Sequence, residues 1–148
     1  MTNKWPGSAE HPFWKVVSGE APLPPGSALL NWKVDEAELG SGRGVCRFEV
    51  STDFVNPIGG IQGGYVAAML DDSMQAALLT LLAADEVAPT LELKTSFLRP
   101  ARPGSFTGEG SVVHRGRSVA FLEGRLLDED GTLVATATAT ATIMSASR

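Results

Sequence analysis

Between Gly63 and Ala83 the chain carries a helical pattern that is apolar nearly all round: Val66, Ala67, Met69, Leu70, Met74, Ala77, Leu78 and Leu81. A helix of that kind is buried on most sides, so the rest of the chain has to cover it. The apolar stretch runs from Tyr65 to Ala84, and Asp71 and Asp72 stand side by side near its middle. Two adjacent carboxylates are a poor fit to a membrane span. The helix is therefore expected inside a folded domain, and 148 residues suffice to bury one core around it.

The flanking segments supply the cover. Ala28–Leu39 and Val45–Val55 read as strands joined by Gly40-Ser41-Gly42-Arg43-Gly44. In the second strand a period of two puts Cys46, Phe48 and Val50 on one face and Val45, Arg47 and Glu49 on the other. Four more strand patterns follow the helix: Thr90–Leu98, Ser105–His114, Ser118–Asp128 and Thr132–Ile143. In the last, alanines alternate with threonines from Leu133 to Ile143; β-branched Thr at every second place favours a strand over an Ala-rich helix. Strand, strand, helix and four strands, with hairpin-like links, predict an α+β fold with a largely antiparallel six-stranded sheet. The Ala row is expected in a central strand where the helix comes close. Sheet edges and an apolar face left over predict a dimer. Residues 1–27, punctuated by Pro6, Pro12, Pro22, Pro24 and Pro25, read as an arm with a short helix from about Pro12 to Gly19, and residues 28–148 as the single domain.

Composition removes several function classes. The net charge is −5 and no basic run exceeds Arg115-Gly116-Arg117, which argues against a nucleic-acid partner. Cys46 is the only cysteine, so no disulfide framework within the chain exists, and its place in an alternating strand predicts a packed thiol. The opening residues MTNKWPGSAEHPFW lack an apolar stretch behind a basic start, which leads to the expectation of no secretory signal and a cytoplasmic protein. Neither a phosphate-binding loop nor a dinucleotide fingerprint is present. His11 and His114 are the only histidines, which disfavours a structural zinc site or a Ser-His-Asp triad.

What remains is the block from Asn56 to Asp72. Glycines at a helix start leave backbone N–H groups free at the positive end of the helix dipole, a place for an anion or a polarised carbonyl oxygen. The same glycines would also serve a tight turn and close packing, and the residues alone leave both readings open. A carboxylate two turns into an apolar helix is satisfied structurally, exposed, or functional. Asp72 lies about 100° round from Asp71, so at most one of them faces a given site well.

Asn56-Pro57, Gly59, Gln62-Gly63-Gly64 and Asp71, followed by Thr90 and by Phe97-Leu98-Arg99-Pro100-Ala101, resemble the hotdog-fold thioesterases of the phenylacetate-degradation (PaaI-like) group. Gly116-Arg117 and the Asp130-Gly131 turn ending at Ala135 fit as well, so the resemblance spans roughly residues 40–144. It implies a hotdog fold, a six-stranded sheet wrapped around one long central helix, and hydrolysis of a small aryl- or aliphatic acyl-CoA without a cofactor. Under it Asp71 matches the catalytic carboxylate, acting as general base or nucleophile. Gly63, with Gly64 beside it, matches the amide that binds the thioester oxygen. Asn56 and Thr90 match residues that place the attacking water. Arg115, Arg117 and Ser118 occupy a turn that would meet the coenzyme A phosphates. The family's usual His-Gly-Gly is here Gln62-Gly63-Gly64; glutamine donates a hydrogen bond but carries no titratable proton.

Gly63 and Asp71 are roughly 12 Å apart along one helix at about 1.5 Å per residue. If both act on one carbonyl, Gly63 of one subunit faces Asp71 of its neighbour, and the site exists only in a homodimer or homotetramer. Two other functions compete: a non-catalytic acyl-CoA binding module, which the missing histidine keeps open, and a dehydratase or hydratase on the same fold, which the remoteness of His11 and His114 disfavours.

Overall fold

The computed structural model describes residues 4–147; residues 1–3 of the expected arm and Arg148 lie outside them. Two short helices open the chain, α1 (Phe13–Val17) and α2 (Pro25–Leu29). Strands β1 (Lys33–Ala37) and β2 (Arg43–Val50) lead to the long helix α3 (Gly63–Leu79). After it come β3 (Glu86–Val87), β4 (Thr90–Phe97), β5 (Gly104–Arg115), β6 (Val119–Leu127), β7 (Leu133–Thr142) and β8 (Met144–Ser145). Six strands form one sheet in the order β1-β2-β5-β6-β7-β4, and β3 pairs with β8 in a small second sheet. Every pairing is antiparallel. This is the hotdog architecture, with α3 lying across the inner face of the sheet.

The core sits between α3 and that face. Met69, Leu70, Met74, Ala77 and Leu78 of the helix are fully buried against Cys46 and Phe48 of β2, Phe106 of β5 and Leu122 and Leu126 of β6. Alternation along β2 is as the period predicts, with Cys46, Phe48 and Val50 inward. The alanines of β7 are likewise buried while Thr136, Thr138, Thr140 and Thr142 face outward or lie half-exposed. The closest approach of helix to sheet lies elsewhere than expected. It falls on β5, where a Cβ at Gly110 would overlap the Ser73 carbonyl and one at Gly108 would overlap the Ser73 hydroxyl. Glycines under Ser73, rather than the Ala row, set the helix–sheet distance.

The largest boundary differences from the sequence reading each have a local reason. The expected first strand, Ala28–Leu39, begins only at Lys33: Pro25 sits in the first turn of α2, whose helix runs to Leu29, and Asn31 then turns the chain at φ 50°. The second strand, expected to run to Val55, ends at Val50, because the Ser51 hydroxyl accepts from Asp53 N–H and starts a 3-10 turn at Thr52–Phe54. Helix α3 ends at Leu79, short of Ala83, where Thr80 turns its hydroxyl back to the Ala77 carbonyl at 2.7 Å. The amino-terminal arm packs on the domain: buried His11 hydrogen-bonds through Nε2 to the Glu86 carbonyl at 3.0 Å, and Phe13 is buried in the core. Among the described residues no helix is long and apolar enough to cross a membrane.

Candidate active site

The loop before α3 is built to present a helix start. Asn56 Oδ1 accepts from the backbone N–H groups of Ile58 and Gly60 at 3.1 and 3.2 Å, and Asn56 N–H donates to Gly60 O at 2.7 Å. Two backbone donors on one atom identify it as the amide oxygen. Ile61 N–H ties the loop to Ala101 O at 2.7 Å, in the segment after β4. Gln62 is the N-cap residue, extended at ψ 136° and exposed, with no side-chain cap bond. Tyr65 and Val66 N–H both return to Gln62 O, which leaves Gly63 and Gly64 N–H as orphan donors of the helix start. The Phe97 ring lies over Gly63, where a Cβ would sit 3.1 Å from its tip.

Two turns further on, the paired aspartates part company. Asp71 turns toward β4, where Thr90 Oγ1 donates to its Oδ1 at 2.9 Å. Gln75, one turn beyond Asp71 on the same helix face, donates from Nε2 to Thr90 Oγ1 at 2.9 Å and to Ala88 O at 3.0 Å. Asp72 turns the other way, against Ser27 of α2. Burial pushes its carboxyl up from 3.8 to about 6; the Ser27 hydroxyl pulls it back and the Asp71 charge adds to the rise. On that same side Cys46 is buried, and desolvation pushes its thiol up to about 12. The nearby Trp32 indole pulls the thiol back a little, while its buried N–H has no hydrogen-bond partner among the described residues. This is the packed, unreactive thiol of the sequence reading.

The structure thus brings together Asp71 with Thr90, and Gly63 with Phe97, at opposite ends of one pairing of α3 with β4. It adds Gln75, which the sequence reading passed over. The signal for it was a polar side chain four residues after Asp71, on the same face of a helix otherwise apolar. Asn56 holds its own loop with its oxygen. Arg117 and Ser118 are exposed in the β5–β6 turn. Arg115 is corrected: its side chain is 2% exposed, pairs with Glu86 at 2.6 Å, donates to Gly116 O at 2.8 Å and stacks 3.7 Å from the Trp5 ring centroid. Its guanidinium is spent on tying the arm to the sheet and does not face a phosphate. Met69, Met74 and Leu78 of α3 are core, and Phe121 lies half-exposed on the outer sheet face.

The open side of this region exposes large apolar side chains among polar ones, with Glu92, Lys94 and Ser96 exposed on β4. Strand β4 is an edge of the sheet, and Leu91, Phe97 and Leu98 along it are 64%, 56% and 54% exposed. The opposite edge, β1, is blunted by Lys33, Asp35 and Glu36, with Asp35 bridged to Arg47 at 2.6 Å.

Residues 59–135 match the model of the Thioesterase superfamily. A protein of Saccharolobus solfataricus, provisionally named an esterase, is 37% identical over 100 residues, which cover 67% of this chain and 70% of that one. A crystal structure from Ralstonia eutropha, titled as a thioesterase related to phenylacetic acid degradation, superposes with a TM-score of 0.83 at 38% identity, over 88% of this chain and 98% of that one. The PaaI protein of the Escherichia coli phenylacetic acid degradation operon has the same fold, with a TM-score of 0.79 at 17% identity over 93% and 97% of the two chains.

Proposed function

Because the chain belongs to the thioesterase superfamily and is a hydrolase of thioesters, we propose that it is an acyl-CoA thioesterase whose site is shared between two subunits. The observation that carries this reading is the Asp71 carboxylate: it stands on a packed helix, with Oδ1 held by Thr90 and Oδ2 without a hydrogen-bond partner among the described residues. That leaves one oxygen oriented and one available, which is what a general base or a nucleophile needs.

In the proposed reaction the thioester carbonyl oxygen accepts the Gly63 N–H, with Gly64 alongside, at the positive end of α3. Asp71 of the facing subunit takes a proton from water as that water attacks the carbonyl carbon. The tetrahedral oxyanion collapses, the carbon–sulfur bond breaks, and the thiolate leaves. If Asp71 attacks directly instead, an acyl–aspartyl anhydride forms and water then cleaves it. The Asn56 amide nitrogen and the Thr90 hydroxyl flank the water in this scheme, and exposed Gln62 offers a donor without a titratable proton. Arg117 and Ser118 are assigned to the coenzyme A phosphates.

Two features support the shared site. Gly63 and Asp71 are separated by two turns of one helix, roughly 12 Å by helical rise, too far to act on one carbonyl within a chain. The apolar β4 edge beside them is the surface a second copy would cover. The acyl group is to be a small aryl or aliphatic one, seated against Phe97.

The test is thiol release from a panel of acetyl-, hexanoyl-, decanoyl-, benzoyl- and phenylacetyl-CoA, by wild type and by Asp71→Asn. Turnover of at least one substrate by wild type and none by the folded variant is expected. Binding without turnover by wild type would point to a binding module, and undiminished hydrolysis by Asp71→Asn would remove the carboxylate from the reaction.

A further inference from the structure

We infer that Gln75 is a positioning residue of this site, one that acts through Thr90 to fix which oxygen of Asp71 is left free to react. The inference rests on the proposed role of Asp71 and extends it to a residue outside the Asn56–Asp72 block.

The argument is one of donors and acceptors. Gln75 Nε2 lies 3.0 Å from the Ala88 carbonyl and 2.9 Å from Thr90 Oγ1. A backbone carbonyl only accepts, so the nitrogen end of the Gln75 amide must face it. With both Nε2 protons donated, one to Ala88 O and one to Thr90 Oγ1, the hydroxyl of Thr90 has an occupied lone pair on that side. Its single proton is then turned to the other neighbour, Asp71 Oδ1, at 2.9 Å. An ionised carboxylate only accepts, so the relay runs in one direction, from Gln75 through Thr90 to Asp71. Without Gln75 nothing on that side directs the Thr90 proton to Asp71, whose carboxylate has no other hydrogen bond among the described residues.

The geometry behind the relay is rigid. Asp71 and Gln75 are four residues apart on α3 and share a face, and the flanking Leu70, Ser73, Met74 and Ala76 are fully buried. Ala88 lies between β3 and β4, so Gln75 also ties the start of β4 to the helix. A rival, purely structural role would use that anchor alone. The two roles differ in whether Thr90 is needed for the effect.

The experiment is a double-mutant cycle on the acyl-CoA of the panel that wild type turns over fastest. Gln75→Met has similar length and no donor; Gln75→Glu has the same shape and, ionised, accepts the Thr90 proton instead of directing it to Asp71. Each is expected to lower kcat on the order of tenfold, with KM within about twofold and the fold retained at assay temperature. Thr90→Val should lower kcat at least as far, and adding Gln75→Met to Thr90→Val should cost less than about twofold more. Unchanged kcat in both Gln75 variants, a loss confined to KM, or a loss that persists in full in the Thr90→Val background would overturn the inference. Asp71→Asn is measured alongside: if it is inactive while the Gln75 variants keep full kcat, only the positioning role fails, and if it is active, the proposed function fails first.

Discussion

Asp71 and Asp72 are neighbours in sequence, yet the sides of α3 they occupy differ in kind. Both are half-buried, but the Asp72 carboxyl turns inward to Ser27 of α2 on the side of Cys46, and desolvation lifts it to about 6. The Asp71 side is open toward the β4 edge, with its carboxylate bound by a directed hydroxyl and apolar surface exposed around it. A carboxylate lifted by desolvation is a cost that the fold carries. One held by a single donor beside an uncovered sheet edge has the arrangement that the proposed reaction requires. Under the proposed function, adjacent residues on one helix divide into a structural and a catalytic carboxylate by the direction in which each points.

The difference is sharpest in paired substitutions. Asp71→Asn is expected to lower kcat by on the order of 10³-fold or more while Asp72→Asn stays within a few-fold of wild type, checked by steady-state kinetics. Equal losses from the two would erase the contrast. A smaller effect is expected at the helix start, where Gly63→Val drives a side chain into the Phe97 ring and crowds the amide; kcat should fall by on the order of 10²-fold with the fold intact. The smallest effect is on stability. Asp72 has a raised pKa in the folded state, so its favourable contribution is complete below 3.8 and is lost as pH rises through about 6. Asp72→Asn should therefore be more stable than wild type above pH 6, by about 1–2 kcal/mol, and the gain should vanish toward pH 4, as followed by urea melts across that range.

Much of this was written in the sequence where one local rule dominated. Thr at every second place of Leu133–Ile143 favoured a strand over an Ala-rich helix, and β7 runs Leu133–Thr142. An apolar helix opening on Gly63-Gly64 is α3 to the residue at its start. What the sequence hid depends on partners distant in the chain. Nothing near Asp71 tells that Thr90 would donate to it rather than to Asp72, because the choice is made by the placement of β4 relative to α2. Gln75 looked like a lone polar residue on an apolar helix until Ala88 and Thr90 were brought to it. Arg115 read as a turn cation, but the chain turns it inward to Glu86 and Trp5, a contact spanning the whole length from arm to sheet. The closest helix–sheet approach was misassigned because alanines announce small size in a pattern, whereas Gly108 and Gly110 are spread through a strand of mixed residues.

The central claim is that a glycine amide of one subunit and an aspartate of the other act on one carbonyl. Mixing separately inactive Gly63→Val and Asp71→Asn proteins under conditions that let subunits exchange tests it directly. In a mixed dimer one of the two sites would receive an intact glycine and an intact aspartate, so acyl-CoA hydrolysis should recover to about a quarter of the wild-type rate at random pairing. Exchange that is complete by mass spectrometry, with hydrolysis no higher than the sum of the two variants alone, would contradict the account.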